Sequence, residues 1–182
     1  MSFIANHQQK FTDLMFNLEN QEQLKKQANG GNSIIFSYPP YEEYLYIQKA
    51  KEIYRNKVEF IDISRLFVNF IDQGTWEEFR DYYNDFRSSP HLVFHSDDAD
   101  IDLFDLIISE IKIACENDRI PFLIRTGCLL GTGIDNVNIM EHPVVMGLAH
   151  PLVVFYPSII ENSNLYFLGF KSASNYRCIL IY

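Results

Sequence analysis

In the first thirty positions the apolar residues Ile4, Phe11, Leu14, Met15 and Leu18 fall three and four apart, which predicts a helix from about 4 to 27 with one buried face. Asn29-Gly30-Gly31-Asn32 supplies the positive-φ residues of a helix exit. The pattern then changes to a short apolar run, Ser33 to Tyr38, which predicts a strand. Pro39-Pro40 stops it, and Pro40 suits the first turn of a helix carrying Tyr46, Ala50 and Ile53 on one side. A second strand is expected over Val58 to Ile63, followed by a short amphipathic helix through Leu66, Phe67, Phe70 and Ile71 that ends at Gln73-Gly74. Thr75-Trp76-Glu77-Glu78 has the Thr-x-x-Glu form of a capping box, and Trp76, Phe79, Tyr83 and Phe86 recur at helical spacing behind it. After a Ser88-Ser89-Pro90 loop, Ser96 is the expected cap of a long helix from Asp97 to about Asn117, with Ile101, Phe104, Ile108, Ile111 and Cys115 on its core face.

A third strand is predicted over Pro121 to Arg125. Gly127, Gly131 and Gly133 punctuate the next segment, and Ile134 to Met140 reads as a helix interrupted or restarted at Pro143. Five consecutive apolar residues, Leu152 to Tyr156, lie between Pro151 and Pro157. They predict a central strand buried on both faces and ended by a turn at Pro157. Leu165 to Leu168 and Tyr176 to Tyr182, separated by Gly169 to Asn175, are expected to close the chain as an antiparallel pair. Strands alternating with helices predict an α/β fold: a mainly parallel central sheet flanked by helices, with a C-terminal antiparallel edge pair. The 182 residues contain no repeat or low-complexity linker, so a single domain over 1–182 is expected.

Composition adds two constraints. Fifteen Phe and eleven Tyr predict a ring-rich core and an aromatic surface patch suited to a protein partner. A formal charge of −9 makes autonomous duplex binding an unfavourable function, while leaving room for a small local basic pocket. The three cysteines, Cys115, Cys128 and Cys178, have no Cys-x-x-Cys spacing, which argues against a disulfide framework and structural zinc. No basic segment followed by an apolar core opens the chain, so no membrane insertion is expected, and a reducing cytoplasm fits.

In open α/β sheets ligands bind beyond the carboxyl ends of the strands. Those ends are expected at Tyr38-Pro39, Asp62 to Ser64, Arg125-Thr126 and Tyr156-Pro157-Ser158. Arg125 at such a rim is suited to clamp a phosphate or carboxylate, although pairing with an acidic neighbour is the commoner role. A phosphate loop needs glycines and a lysine after a strand, but here Tyr-Pro-Pro-Tyr follows strand one, and Gly127 to Gly133 contains no lysine. Asp98, Asp102 and Asp105 share a helical face, a metal-ligand spacing whose plainer reading is a solvated helix start. Cys128, His142 and His150 are candidates for a Cys–His nucleophile, against which stands the blander account of a buried thiol and scattered histidines.

The succession Pro151-Leu152-Val153-Val154-Phe155-Tyr156-Pro157, then Leu165 to Gly169, then Asn175-Tyr176-Arg177 and an apolar end resembles the carboxyl-terminal signature of the BrxB family. Ser158 stands where that pattern has a turn glycine, and Cys178 follows the Asn-Tyr-Arg. Upstream, Ile34 to Pro40 before Tyr41-Glu42-Glu43, and Phe122 to Gly127, are similar to the family's opening strand and its strand ending in Thr-Gly. The resemblance implies an accessory component of a bacterial BREX (bacteriophage exclusion) defence system. Such a component would act as a non-catalytic adaptor without cofactor or metal, beside a PglZ-type protein of the alkaline phosphatase superfamily, a large ATPase and a DNA methyltransferase. The expected contact residues are Tyr38, Arg125 and Tyr156 at the rim and Asn175, Tyr176 and Arg177 in the tail. The competing expectation is a nucleotide- or phosphometabolite-binding regulatory domain with a degenerate P-loop-like architecture, using Arg125 and Thr126.

Overall fold

The computed structural model describes residues 3–96 and 102–182. Its core is a parallel sheet in the order β2-β3-β4-β1-β7, formed by β1 (Ser33–Tyr38), β2 (Val58–Asp62), β3 (Ile120–Ile124), β4 (Leu152–Glu161) and β7 (Cys178–Ile181). Alternation of side chains along each strand divides the interior. Ile34, Phe36, Phe122, Val153 and Phe155 face α1 (Phe3–Glu19), α2 (Gln21–Gln27) and α3 (Glu43–Ile53). Ile35, Leu123, Leu152, Val154 and Tyr156 face the other layer, α4 (Ile63–Ile71), α6 (Leu103–Glu116), α7 (Asn136–Met140) and α8 (Pro143–Met146). On that side α5 (Trp76–Asp85) meets α4 through the rings of Phe79 and Phe70. Both faces of the sheet are covered, which is why the central strands are continuous apolar runs. On the first face the rings of Phe36 and Phe122 pack at 4.8 and 5.6 Å from that of Phe155.

Several boundaries differ from expectation, each for a local reason. The first helix divides at Asn20, whose side chain donates to the Phe16 carbonyl. β2 stops at Asp62 rather than Ile63, because the Asp62 carboxylate accepts the Ser64 N–H and thereby caps α4. The described part of the long helix begins at Leu103, and its cap is Asp102 rather than Ser96. Asp102 accepts the Asp105 N–H at 2.7 Å, with Asp105 reaching back to close a capping box. Asp97, Asp98, Asp100 and Ile101 lie outside the described residues.

Pro157 does not end β4. The strand continues to Glu161 because it exchanges partners at that residue. Pro157 is the last position paired with β1, opposite Tyr38, and Ser158 is the first paired with the antiparallel β5 (Asn164–Phe167). The proline carbonyl still accepts the Leu168 N–H at 2.8 Å, so its missing N–H falls where the ladder changes. β5 pairs in turn with β6 (Lys171–Ala173), giving an antiparallel edge. The closing pair expected between residues 165–168 and 176–182 does not form. β7 instead lies parallel to β1 at the other side of the sheet. Its two sets of side chains explain this: Ile179 and Ile181 pack into one core and Cys178 and Leu180 into the other, so it needs both faces covered.

Candidate functional site

β1 and β4 are neighbours, yet the segments that leave them pass to opposite faces, β1 into α3 and β4 into β5. The topological switch point of the sheet therefore lies between Tyr38 and Pro157, where a ligand crevice is expected. The protein fills this crevice itself. The Ser158 hydroxyl is held 2.9 Å from Ser37 Oγ and 3.0 Å from the Tyr156 carbonyl. From α1, Lys10 Nζ donates to the Ser37 carbonyl at 3.2 Å and lies 5.3 Å from the centre of the Tyr46 ring.

The rim residues have distinct surroundings. Tyr38 is fully buried and donates its hydroxyl to Glu43 Oε1 at 3.0 Å; burial, then the Glu43 charge, pushes its pKa far above the usual phenol value. Tyr156 stacks on Phe167 at 4.7 Å, donates to Asn136 Oδ1, and is shifted upward by burial and then by Asp135. Thr126 is buried with its hydroxyl donated to the Phe155 carbonyl at 2.7 Å, so it is a structural tie and not a group facing a ligand. Arg125 is the exception. It follows β3 with a left-handed φ of 59°, and its Nε pairs with Asp62 Oδ2 at 3.3 Å while the side chain stays 53% exposed.

The tail residues do not join this rim. Arg177 directly precedes Cys178, which pairs with Ser33 at the amino end of β1, and its carbonyl sits against Gly31. Asn175, Tyr176 and Arg177 thus approach the end of β1 opposite to Tyr38. Tyr176 is exposed, with the Arg177 guanidinium 5.4 Å from its ring centre.

Arg125 faces a groove of about 410 Å³ whose other wall is the side of α3 carrying Tyr44, Gln48 and Lys51, with Arg55 just beyond the helix end. Lys51 lies 5.8 Å from the centre of the Phe60 ring. Glu52, the carboxylate on this wall, is bound to Lys49 at 3.1 Å. Arg55 makes no hydrogen bond or ion pair with the described residues.

A second set of charged groups escapes sequence reasoning. Lys10 is only 7% exposed and Glu42 5%, with Glu42 Oε2 3.2 Å from His7 Nε2. Desolvation lowers the Lys10 pKa, and the Glu42 charge opposes that shift. The available signal was position: Lys10 lies four residues before Leu14, on the apolar stripe of the first helix. Beside this set is a mainly apolar cavity of about 380 Å³ bounded by His7, Phe11, Leu45 and Tyr46.

Comparison with protein-family models, curated proteins and solved structures finds no match to this chain.

The nucleophile candidates are dispersed. Burial pushes the Cys128 thiol up to about 11, His142 accepts the Val144 N–H to cap α8, and His150 pairs with Asp118 at 2.9 Å. Among the described residues no group of three His, Cys, Asp or Glu side chains is placed to hold a metal ion. Of the acidic trio, Asp102 and Asp105 are engaged in helix capping, and Asp98 lies outside the described residues. No described helix is long and apolar enough to cross a membrane.

Exposed rings also gather on α5. Its capping box is complete, with Thr75 accepting the Glu78 N–H and Glu78 accepting the Thr75 N–H. None of its residues is buried: Trp76 is 62% exposed, and Tyr82 and Tyr83 are also exposed. Phe79, and Phe86 just beyond the helix end, rest partly buried against the core on the α4 side of the molecule.

Proposed function

We propose that this protein acts by docking to a partner protein, as a non-catalytic adaptor, and that α5 is its principal contact element. The observation that carries this reading is the aromatic helix without a buried residue. A ten-residue helix is marginal alone in water, and exposed Trp and Tyr are the side chains most enriched where proteins anchor one another. Around these rings, Asp72, Glu77, Glu78, Asp81 and Asp85 outnumber Arg80 and Arg87. Charge complementarity therefore specifies a partner groove with an apolar floor and a basic rim.

The resemblance of the carboxyl-terminal strands to the BrxB family supplies the partner class: a cytoplasmic BREX component, the PglZ-type protein first, then the large ATPase or DNA methyltransferase. The decisive experiment is affinity capture of the tagged protein co-expressed with its neighbouring genes. Stoichiometric recovery of such a component, lost in the triple variant Trp76→Ser, Tyr82→Ser, Tyr83→Ser, is expected. Because these rings also touch Phe79 and Phe86, the melting temperature of the variant is measured beside the capture, and loss of the partner by a variant that is still folded at the capture temperature is the expected result. Capture that survives the triple substitution would remove α5 from the interface, and a protein recovered alone would sink the adaptor reading.

A further inference from the structure

We propose that the groove between α3 and Arg125 is a binding site for a small phosphorylated ligand carrying at least two negative charges. It is independent of the docking helix. The first argument is charge. A chain with a formal charge of −9 nevertheless directs Lys51, Arg55 and Arg125 into one depression, where the lining carboxylate Glu52 is already held by Lys49. Lys51, in the last turn of α3, and Arg55, just beyond its cap Tyr54, bring two like charges to one groove, where a bound anion would offset them.

The second argument is preorganisation. Arg125 is held by its backbone and by Asp62, which is itself fixed by the Ser64 N–H and hydroxyl at 3.1 and 2.6 Å. The ion pair uses Nε and leaves the terminal nitrogens for a second acceptor. Such a fork matches phosphate oxygens bidentately, whereas Arg55 has no partner at all among the described residues.

Size selects the ligand class. A volume of about 410 Å³ is within the range of small-molecule pockets, and Tyr44 and Gln48 add a ring and an amide for the uncharged part of a ligand. A nucleic acid polymer would have to lie along the acidic remainder of the surface, which disfavours it. Thr126, with its hydroxyl committed to the Phe155 carbonyl, takes no part.

The test is calorimetric titration of the full chain with inorganic pyrophosphate and with ADP at matched ionic strength, using citrate as a carboxylate of similar charge. Pyrophosphate or ADP should bind with a dissociation constant of roughly 1 mM or tighter. Arg55→Ala should weaken binding about tenfold without lowering the melting temperature, because Arg55 has no partner to lose among the described residues. Arg125→Lys should also weaken it, since a point charge does not replace the fork. Lys25→Ala, outside the groove, and Trp76→Ser, on the docking helix, should leave binding unchanged. The proposal is overturned if neither phosphate compound binds at millimolar concentration, if citrate binds as tightly, or if Arg55→Ala binds like the parent protein.

Discussion

The backbone carbonyl of Arg177 rests against the α-carbon of Gly31, so closely that a β-carbon at position 31 would overlap it. The constraint is space rather than dihedral angle, since Gly31 is outside the left-handed region that Gly30 occupies at a φ of 82°. This approach lets β7 settle parallel to β1, with Cys178 opposite Ser33. Gly31→Ala should therefore separate the two chain segments at that point and destabilise the fold by about 1–3 kcal/mol, as overpacking does. Chemical denaturation would measure it. A change below about 0.5 kcal/mol would mean that the two segments do not meet this way.

Thr126 makes a different kind of tie. Its buried hydroxyl bridges the end of β3 to the Phe155 carbonyl of β4. Thr126→Val keeps the shape and removes the donor, for an expected loss of about 1–2 kcal/mol. Pyrophosphate binding in the groove should be unchanged, which separates this residue from its neighbour Arg125.

Four tyrosines, Tyr38, Tyr46, Tyr54 and Tyr156, have pKa values raised above 10.0, first by burial and then by nearby acidic or phenolic groups. A folded-state value above the unfolded one means that the stabilisation is complete below pH 10 and is lost as pH rises beyond it, because the unfolded chain releases its phenolic protons first. Unfolding should accordingly set in above pH 10. The tyrosinate absorbance of these four rings should appear together with the loss of helical circular dichroism; their ionisation in a still folded protein would contradict their burial.

Lys10 has the opposite sign. Its pKa is lowered on folding, so between that value and 10.5 the unfolded chain binds more protons, and the burial penalty on its charge fades as pH rises. Its Nζ donates to the Ser37 carbonyl, and the Glu42 charge favours the protonated form. Lys10→Met is expected to destabilise the protein by roughly 1.5–3 kcal/mol, the range for a hydrogen bond to a charged group. Adding Glu42→Gln should recover part of the loss; a double variant no better than the single would show that the two side chains are uncoupled.

Much of the architecture was legible in local pattern. Ser33 to Tyr38 is a buried strand because six residues between Asn32 and Pro39 suit nothing else, and Thr75 with Glu78 starts a helix by a purely local exchange of hydrogen bonds. Arg125 was placed correctly at a strand end, and so was its ion pair with an acidic neighbour. Less of the candidate site could be read. Lys51 and Arg55 look like ordinary solvent-facing charges until α3 is laid beside β3. Lys10 looks like one more surface lysine until α1 is laid over Ser37. Tyr176 and Arg177 could be named only as a tail contact apart from the rim at Tyr38, because proximity to a terminal strand says nothing about which end of the sheet that strand enters.

Sequence alone determined the α/β class, the central position of Leu152 to Tyr156 and the caps of α5, because periodicity, β-branching and side-chain capping act over a few residues. Only the tertiary structure decided that β4 runs through Pro157, that β7 joins β1 in parallel, and that Lys51, Arg55 and Arg125 share a groove. Those outcomes depend on which surfaces remain uncovered once the sheet is assembled, a quantity that no short window of the chain contains.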